Sequence, residues 1–358
     1  MITLITRIVR STHVLAVGVE SPTNIALIKY WGKHPKYEHL LVPTKSSVSF
    51  TIAGLHAKTL LKVESGKGEI EFHLNGKKIK ETQSEFDYVR NFFDNISRSY
   101  KFTKDYRYEI SSQNDFPTAS GFASSAAGFS ALAVAFAKAM TKLGNLPHLN
   151  ERQLSVLARL GSGSAARSVP SRGGLVIWHR GFDNACSETE ASDFSYAETL
   201  YEPSYFSDLA VIYAKVESEQ EKKTKSRAGM RESVRSVYDY WQWVDYEEKV
   251  LLPAILAAVR EKNWGEMFRL TKQASNNFHA VCWRTDPPII YLNDKSTEIM
   301  STIQPLGYAA YTFDAGPNAV VFALRRNSEE VEERLKSIVG KENTYRTEVG
   351  GGPKDVEL

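Results

Sequence analysis

Apolar and polar residues alternate over 47–52 (SVSFTI) and 58–63 (KTLLKV), and this period of two predicts a strand in each stretch. Residues 70–74 (IEFHL) and 77–79 flank Asn75-Gly76, a pair that readily takes the positive φ of a tight turn, so a hairpin is expected. Over 84–98 the period lengthens, and Phe86, Val89, Phe92 and Phe93 share one face of a helix. The segment 121–142 (GFASSAAGFSALAVAFAKAMTK) is apolar or small almost all round, as in a helix buried on every side. Asn150 and Gln153 make a capping box for the next helix, which turns Leu154, Leu157 and Ala158 inward.

Within 181–207 the chain becomes polar and acidic (DNACSETEASD), which places a domain boundary there and divides the chain into 1–190 and 191–358. The second half opens with a strand at 208–214 and a charged loop at 216–227. Two long helices follow at 230–260 and 263–282, the first kinked at Pro253. Strands at 307–313 and 318–324, a helix at 328–338 and a strand at 344–349 close the pattern. The expected class is α+β with mostly antiparallel strands.

Composition narrows the function. In 358 residues, 45 Lys and Arg stand against 42 Asp and Glu, a net charge of +3 that argues against a nucleic-acid partner yet permits local pockets for small anions. Cys186 and Cys282 form no CxxC pair or metal cluster, which suits a reducing compartment and no structural metal. No apolar run approaches the roughly 18 residues that span a bilayer, and MITLITRIVRSTHVLAVGVE lacks the core and cleavage site of a signal peptide. A cytoplasmic protein without membrane contact is expected.

Four segments carry candidate chemistry. In PTASGFASSAAG (117–128), Ser120, Gly121, Ser124 and Ser125 sit where a loop enters the small-residue helix. First-turn N–H groups without intrahelical partners would suit a phosphate there; close packing against another backbone is the other reading. The pattern is not GxxxxGK[ST]. Lys29 interrupts an apolar stretch, so it either meets a carboxylate or phosphate or is exposed on a half-buried strand. In GSGSAARS (161–168), Ser162 and Ser164 permit a tight turn, and Arg167 offers a planar fork for a carboxylate or remains a surface arginine. Asp314, in TFDAGPN, either supports its turn by local hydrogen bonding or serves chemistry at a strand end.

Together these segments resemble the diphosphomevalonate decarboxylase family of the small-molecule (GHMP) kinase superfamily, to which galactokinase, homoserine kinase and mevalonate kinase belong. The matching stretches are NIALIKYWGK (24–33), PTKSSVS (43–49), FPTASGFASSAAGF (116–129), ARLGSGSAARS (158–168), SNNFHAVCWRTDPPIIYLND (275–294), YTFDAGPNAV (311–320) and VGGGP (349–353), in the same order along nearly the whole chain. The resemblance implies a ribosomal-S5-like N-terminal domain, a ferredoxin-like C-terminal domain and a site between them. It implies Asp314 as catalytic aspartate, Lys29 as active-site lysine and Arg167 as the arginine that binds a carboxylate. It also implies substrate contacts at Asn24, Tyr30, Lys33, Ser162, Ser164, Lys225, Ser226 and Arg227, a phosphate loop with Ser124 and Ser125, and a homodimer.

Three departures add positive charge: Lys45 stands where the family usually has asparagine, Lys225 where it has serine, and Arg172 lies in a lengthened arginine loop. A lysine arm at 225 would crowd a 5-diphosphate or reach a 5-monophosphate; alternatively, each cation is a solvated surface charge. On this basis the expected activity is ATP-independent decarboxylation of mevalonate 3,5-bisphosphate, needing no cofactor. The alternative is an ATP- and Mg-dependent diphosphomevalonate or phosphomevalonate decarboxylase. A mevalonate 3-kinase and a non-catalytic regulatory relative are further readings, each disfavoured by retention of Lys29, Arg167 and Asp314.

Overall fold

The computed structural model describes residues 14–115, 124–183, 185, 187–216 and 225–357. The first lobe holds β1 (Leu15–Ile28), β2 (Ser47–Ser65), β3 (Ile70–Leu74), β4 (Lys77–Lys78), α1 (Ser84–Ser99), β5 (Tyr106–Asn114), α2 (Ser124–Lys142), α3 (Glu151–Arg159), β6 (Leu175–Trp178), α4 (Glu188–Asp193) and β7 (Ala197–Tyr201). The second holds β8 (Leu209–Ala214), α5 (Ser226–Ser236), α6 (Tyr240–Tyr246), α7 (Leu252–Arg260), α8 (Trp264–Trp283), α9 (Asp294–Ile303), β9 (Ala309–Phe313), β10 (Ala319–Leu324), α10 (Ser328–Val339) and β11 (Thr344–Thr347). A last strand, β12 (Lys354–Asp355), returns to the first lobe.

The α+β expectation holds. A large sheet runs β12-β1-β2-β5-β3-β4 with β6 branching from β2 and β7 pairing β6, and a smaller antiparallel sheet runs β11-β8-β10-β9. The hairpin forms as expected, with Asn75 at φ 50° and Gly76 at φ 76°. The two strands expected at 47–52 and 58–63 are one, β2. Between Thr51 and His56 its pairing with β1 slips, and Gly54 takes φ 70°, so an irregularity inside a continuous strand reads locally as an end.

Alanines 126, 127, 131, 133, 135 and 139 of α2 are fully buried, so the helix lies close on β1 and β2. With α1 it encloses a core that includes Leu61, Phe92, Ile110 and Phe136. The smaller sheet is covered on both faces. Leu209, Val211, Val320 and Phe322 join α7 and α8, while Ile212, Val321 and Ala323 face α9 and α10. Period-two alternation within strands buried on both sides explains their unbroken apolar wording. Ile25, Phe50 and Leu175 of the large sheet share a core with α7, α8 and β10, so the lobes are packed as one body.

The helical stretch breaks first at Val237, whose ψ of 112° is extended. Beyond it α6 runs through a π-helical turn over 247–251 straight into α7, with Tyr246, Leu251 and Leu252 all in helical conformation, so the irregularity lies just before Pro253, which lacks the N–H that would bond back into that turn. The VGGGP stretch at 349–353 gains a physical reason. Gly174 N donates to Gly350 O at 2.9 Å and Gly350 N to Thr51 O at 2.8 Å, and a Cβ on Gly352 would lie 2.1 Å from Pro170 O. Only glycine admits that approach of three backbones.

Candidate active site

Where β1 ends, Lys29 enters the space between the lobes with only 3% of its surface exposed, so the exposed-lysine reading fails. Its Nζ donates to Asp314 Oδ1 at 2.6 Å. Asp314 follows β9 in a tight turn in which Gly316 N donates to Asp314 O at 2.7 Å, and its side chain is 35% exposed. Burial pulls the Lys29 pKa below its usual value and the Asp314 carboxylate opposes it; Arg167 and Lys45 add to the downward push.

Arg167 lies on a 3₁₀ turn over Gly163–Ser168 and is 4% exposed. Its Nε donates to Asn24 Oδ1 at 3.1 Å and its Nη1 to Ser47 Oγ at 2.5 Å. Asn24 is held in turn, donating to Ser168 Oγ at 2.7 Å and Ser164 O at 3.1 Å. Among the described residues no carboxylate lies within 4.0 Å of this guanidinium. Burial lowers its pKa to about 10, still fully cationic at neutral pH. A buried cation held by neutral groups and facing a cavity is built to receive an anion.

The cavity has a volume of about 530 Å³, and Lys29, Asp314 and Arg167 all line it. Asn24, Tyr30, Lys33, Ser162, Ser164, Lys225, Ser226 and Arg227 line it too, as does Ser125 in the first turn of α2. Ser124 begins that helix, whereas Ser120 and Gly121 lie outside the described residues. Among the lining residues, Lys29, Lys33, Arg167, Lys225 and Arg227 stand against the carboxylates of Asp314 and Glu85, so the hollow favours a polyanion. Tyr30 packs on Trp178 with centroids 4.8 Å apart, and burial pushes its phenol pKa upward, keeping it a donor. A Cβ on Gly163 would stand 2.7 Å from the Tyr30 ring, so that glycine makes room for it.

Arg227, near the start of α5, bridges the cleft: Nη2 donates to Gly161 O at 2.6 Å, and the guanidinium sits 4.0 Å from the Tyr88 ring centroid. Lys225 Nζ donates to Ser84 Oγ at 3.0 Å, reaching α1 from the second lobe. Glu85, Tyr88 and Val89 of α1 and Ser112 and Asn114 of β5 also form the wall. Sequence reasoning misses these, except that it places Val89 on one face of a helix. Tyr88, an aromatic beside that apolar stripe, was the available signal.

The other two added cations lie away from the cavity wall. Lys45 is buried against Glu247, 3.3 Å away, and Arg172 makes an exposed pair with Glu202 at 3.2 Å. Their charges are matched within the protein, which removes most of the argument for a substrate carrying two separate phosphates.

Comparison with known proteins agrees. Residues 21–190 match the model of the diphosphomevalonate decarboxylase-like N-terminal domain, and residues 211–356 that of the mevalonate 5-diphosphate decarboxylase C-terminal domain. A diphosphomevalonate decarboxylase of Debaryomyces hansenii is 36% identical over 330 residues, covering 87% of this chain and 80% of its own. The mevalonate diphosphate decarboxylase of Staphylococcus aureus superposes with a TM-score of 0.84 at 28% identity, covering 96% of this chain and 99% of that one. MDDEF in complex with MVAPP, AMPPCP and magnesium gives 0.84 at 29% identity, covering 97% and 100%. These relatives overturn the expectation of an ATP-independent bisphosphate decarboxylase: they carry the diphosphomevalonate decarboxylase name, and one is a complex with a nucleotide analogue.

Proposed function

The chain belongs to the diphosphomevalonate decarboxylase family, carboxy-lyases of the mevalonate pathway with the GHMP-kinase fold, and from that premise we propose that it converts 5-diphosphomevalonate and ATP, with magnesium, to isopentenyl diphosphate, CO2, ADP and phosphate. The observation that carries the reading is the Lys29–Asp314 contact beside a buried Arg167 that has no carboxylate partner among the described residues, all in one cationic hollow.

The roles follow from charge development. Loss of phosphate from a tertiary C3 builds positive charge on that carbon and negative charge on the leaving group. Asp314, the partly exposed member of its pair, accepts the 3-hydroxyl proton as that oxygen takes the phosphoryl group, and after passing the proton to solvent it faces the cationic carbon as a carboxylate. Lys29 balances the leaving anion. Arg167, fixed by Asn24 and Ser47, holds the substrate carboxylate in line for C–C cleavage. Lys33, Ser226, Arg227, Lys225 and the Tyr30 hydroxyl supply donors for the 5-diphosphate.

The nucleotide fits the opposite end. The first turn of α2 faces the cavity through Ser125, and Phe72, Leu74, Val89 and Ile110 give an apolar wall suited to a base. Gly128 lines the same wall, and among the described residues a Cβ there would meet only Ser112 Oγ, at 3.8 Å. Among the described residues no group of three or more His, Cys, Asp or Glu could hold a metal. Magnesium would enter bound to the nucleotide phosphates, where the Ser125 hydroxyl on the cavity wall would be an available protein oxygen. Nucleotide and metal together supply the phosphoryl group that makes the 3-oxygen a leaving group.

The test supplies 5-diphosphomevalonate, ATP and magnesium and follows CO2, ADP and phosphate in equal amounts. ADP without CO2, or CO2 from mevalonate 3,5-bisphosphate alone with no turnover of the diphosphate, overturns the reading. A homodimer and a cytoplasmic location belong to the same proposal, and equilibrium sedimentation checks the first. In the described residues no helix is long and apolar enough to cross a membrane.

A further inference from the structure

Behind the cavity lies a second pair that the mechanism does not use. Lys45 and Glu247 are each 1% exposed, come from different lobes, and approach to 3.3 Å between Nζ and Oε2. The Lys45 ammonium also donates to the main-chain carbonyl of Lys29 and lies 4.7 Å from the centroid of the Trp243 ring. Glu247 Oε1 accepts from Trp243 Nε1 at 3.2 Å. The neighbouring Glu248 accepts from Ser46 N at 2.7 Å and Ser46 Oγ at 2.8 Å, so two adjacent carboxylates grip two adjacent residues. Both carboxylates belong to the π-helical turn 247–251. Such turns insert one extra residue into a helix and recur at functional sites.

Removing two charges from water costs about as much as their attraction returns, so stability alone does not account for the pair. What it touches does: the carbonyl it holds belongs to the residue whose ammonium meets Asp314. We propose that the Lys45–Glu247 pair is a positioning device for Lys29, fixing its backbone from the second lobe and keeping a matched positive charge behind the reacting ammonium. The inference rests on the function proposed above, in which Lys29 balances the departing phosphate.

The direction of its effect follows from the groups around Lys29. Asp314, from the turn after β9, favours the charged amine; Arg167, from the 3₁₀ turn, and Lys45, from the segment before β2, oppose it. His279 of α8 is kept neutral by burial, with a pKa of about 3. Of the two, it is Lys45 that acts on the Lys29 amine among its leading influences, so deleting both charges of the pair leaves Lys29 with less net repulsion.

The decisive variant is Lys45→Met with Glu247→Gln, which leaves no unmatched buried charge. If that protein does not fold, Lys45→Gln with Glu247→Gln keeps a neutral hydrogen-bonding pair. Two quantities are read: kcat and KM for 5-diphosphomevalonate, and the pH midpoint for acylation of Lys29, followed by peptide mass spectrometry. The expected result is a fall in kcat of about tenfold or more with KM nearly unchanged, since a shift on the order of 1 Å in a reacting group can cost ~10²-fold, together with an upward move of the Lys29 midpoint. A stable variant with unchanged kcat overturns the inference, as does a fall in kcat with the midpoint unmoved, which is the mark of a merely structural pair. If the parent protein does not turn over 5-diphosphomevalonate, the proposed function fails, and the inference built on it falls too. The two failures are thus told apart by which protein shows them.

Discussion

Three side chains determine what the cavity can do. Asp314→Asn keeps the size of the group and removes its charge, so folding survives while kcat falls by roughly 10²- to 10³-fold; near-normal turnover would remove the assignment. Arg167→Ala lowers kcat/KM, and Arg167→Lys fails to restore it, because a point charge cannot reproduce the fork that meets both Asn24 and Ser47. Lys29 must be charged to balance the leaving anion, and burial lowers its pKa. Activity is therefore steady below that pKa and falls as pH rises through it, at lower pH than for an exposed lysine; in Lys29→Arg this basic limb moves beyond the measurable range. Lys29 stands out in the sequence because it interrupts an apolar stretch, whereas Asp314 reads alone as a turn residue and gains a role only through the family resemblance. Glu247 gives no such signal: a glutamate in a polar helical stretch looks like any solvated face until the opposite lobe is in place.

Local pattern carries most of the elements and fails where long-range packing intervenes. The Asn75-Gly76 hairpin and the Asn150–Gln153 capping box are legible because their partners lie within a few residues. Asn150→Ala should cost about 1 kcal/mol in a denaturant titration, since it removes the acceptor for Gln153 N at 3.0 Å. The slip within β2 and the break at Val237 are set by distant contacts, so sequence reading divides one strand and merges two helices. The 3₁₀ turn illustrates the same limit. Its glycines announce a turn, but only the fold shows Gly163 beneath the Tyr30 ring. Gly163→Ala should displace that ring and raise KM for the phosphorylated substrate more than it alters the melting temperature, as parallel kinetics and thermal denaturation would show.

At the scale of the whole molecule, the lobes share a core. Phe50 is fully buried, packs edge-on against Phe206 at 4.7 Å and reaches Phe322 at 5.3 Å. Phe50→Ala should therefore cost about 3–5 kcal/mol, and calorimetry should show one transition moved downward, not one lobe melting early. The amino-acid pattern conveyed the α+β class and the succession of segments, but not the joint core, because each half looks self-sufficient when read alone. The return of residues 349–355 across the first lobe has a consequence for biosynthesis. Backbone bonds from Gly350 to Thr51 and Gly174, and the pairing of β12 with β1, cannot form until that segment has left the ribosome. The first lobe thus waits, unfinished along one border, for a segment synthesised long after it to lock it.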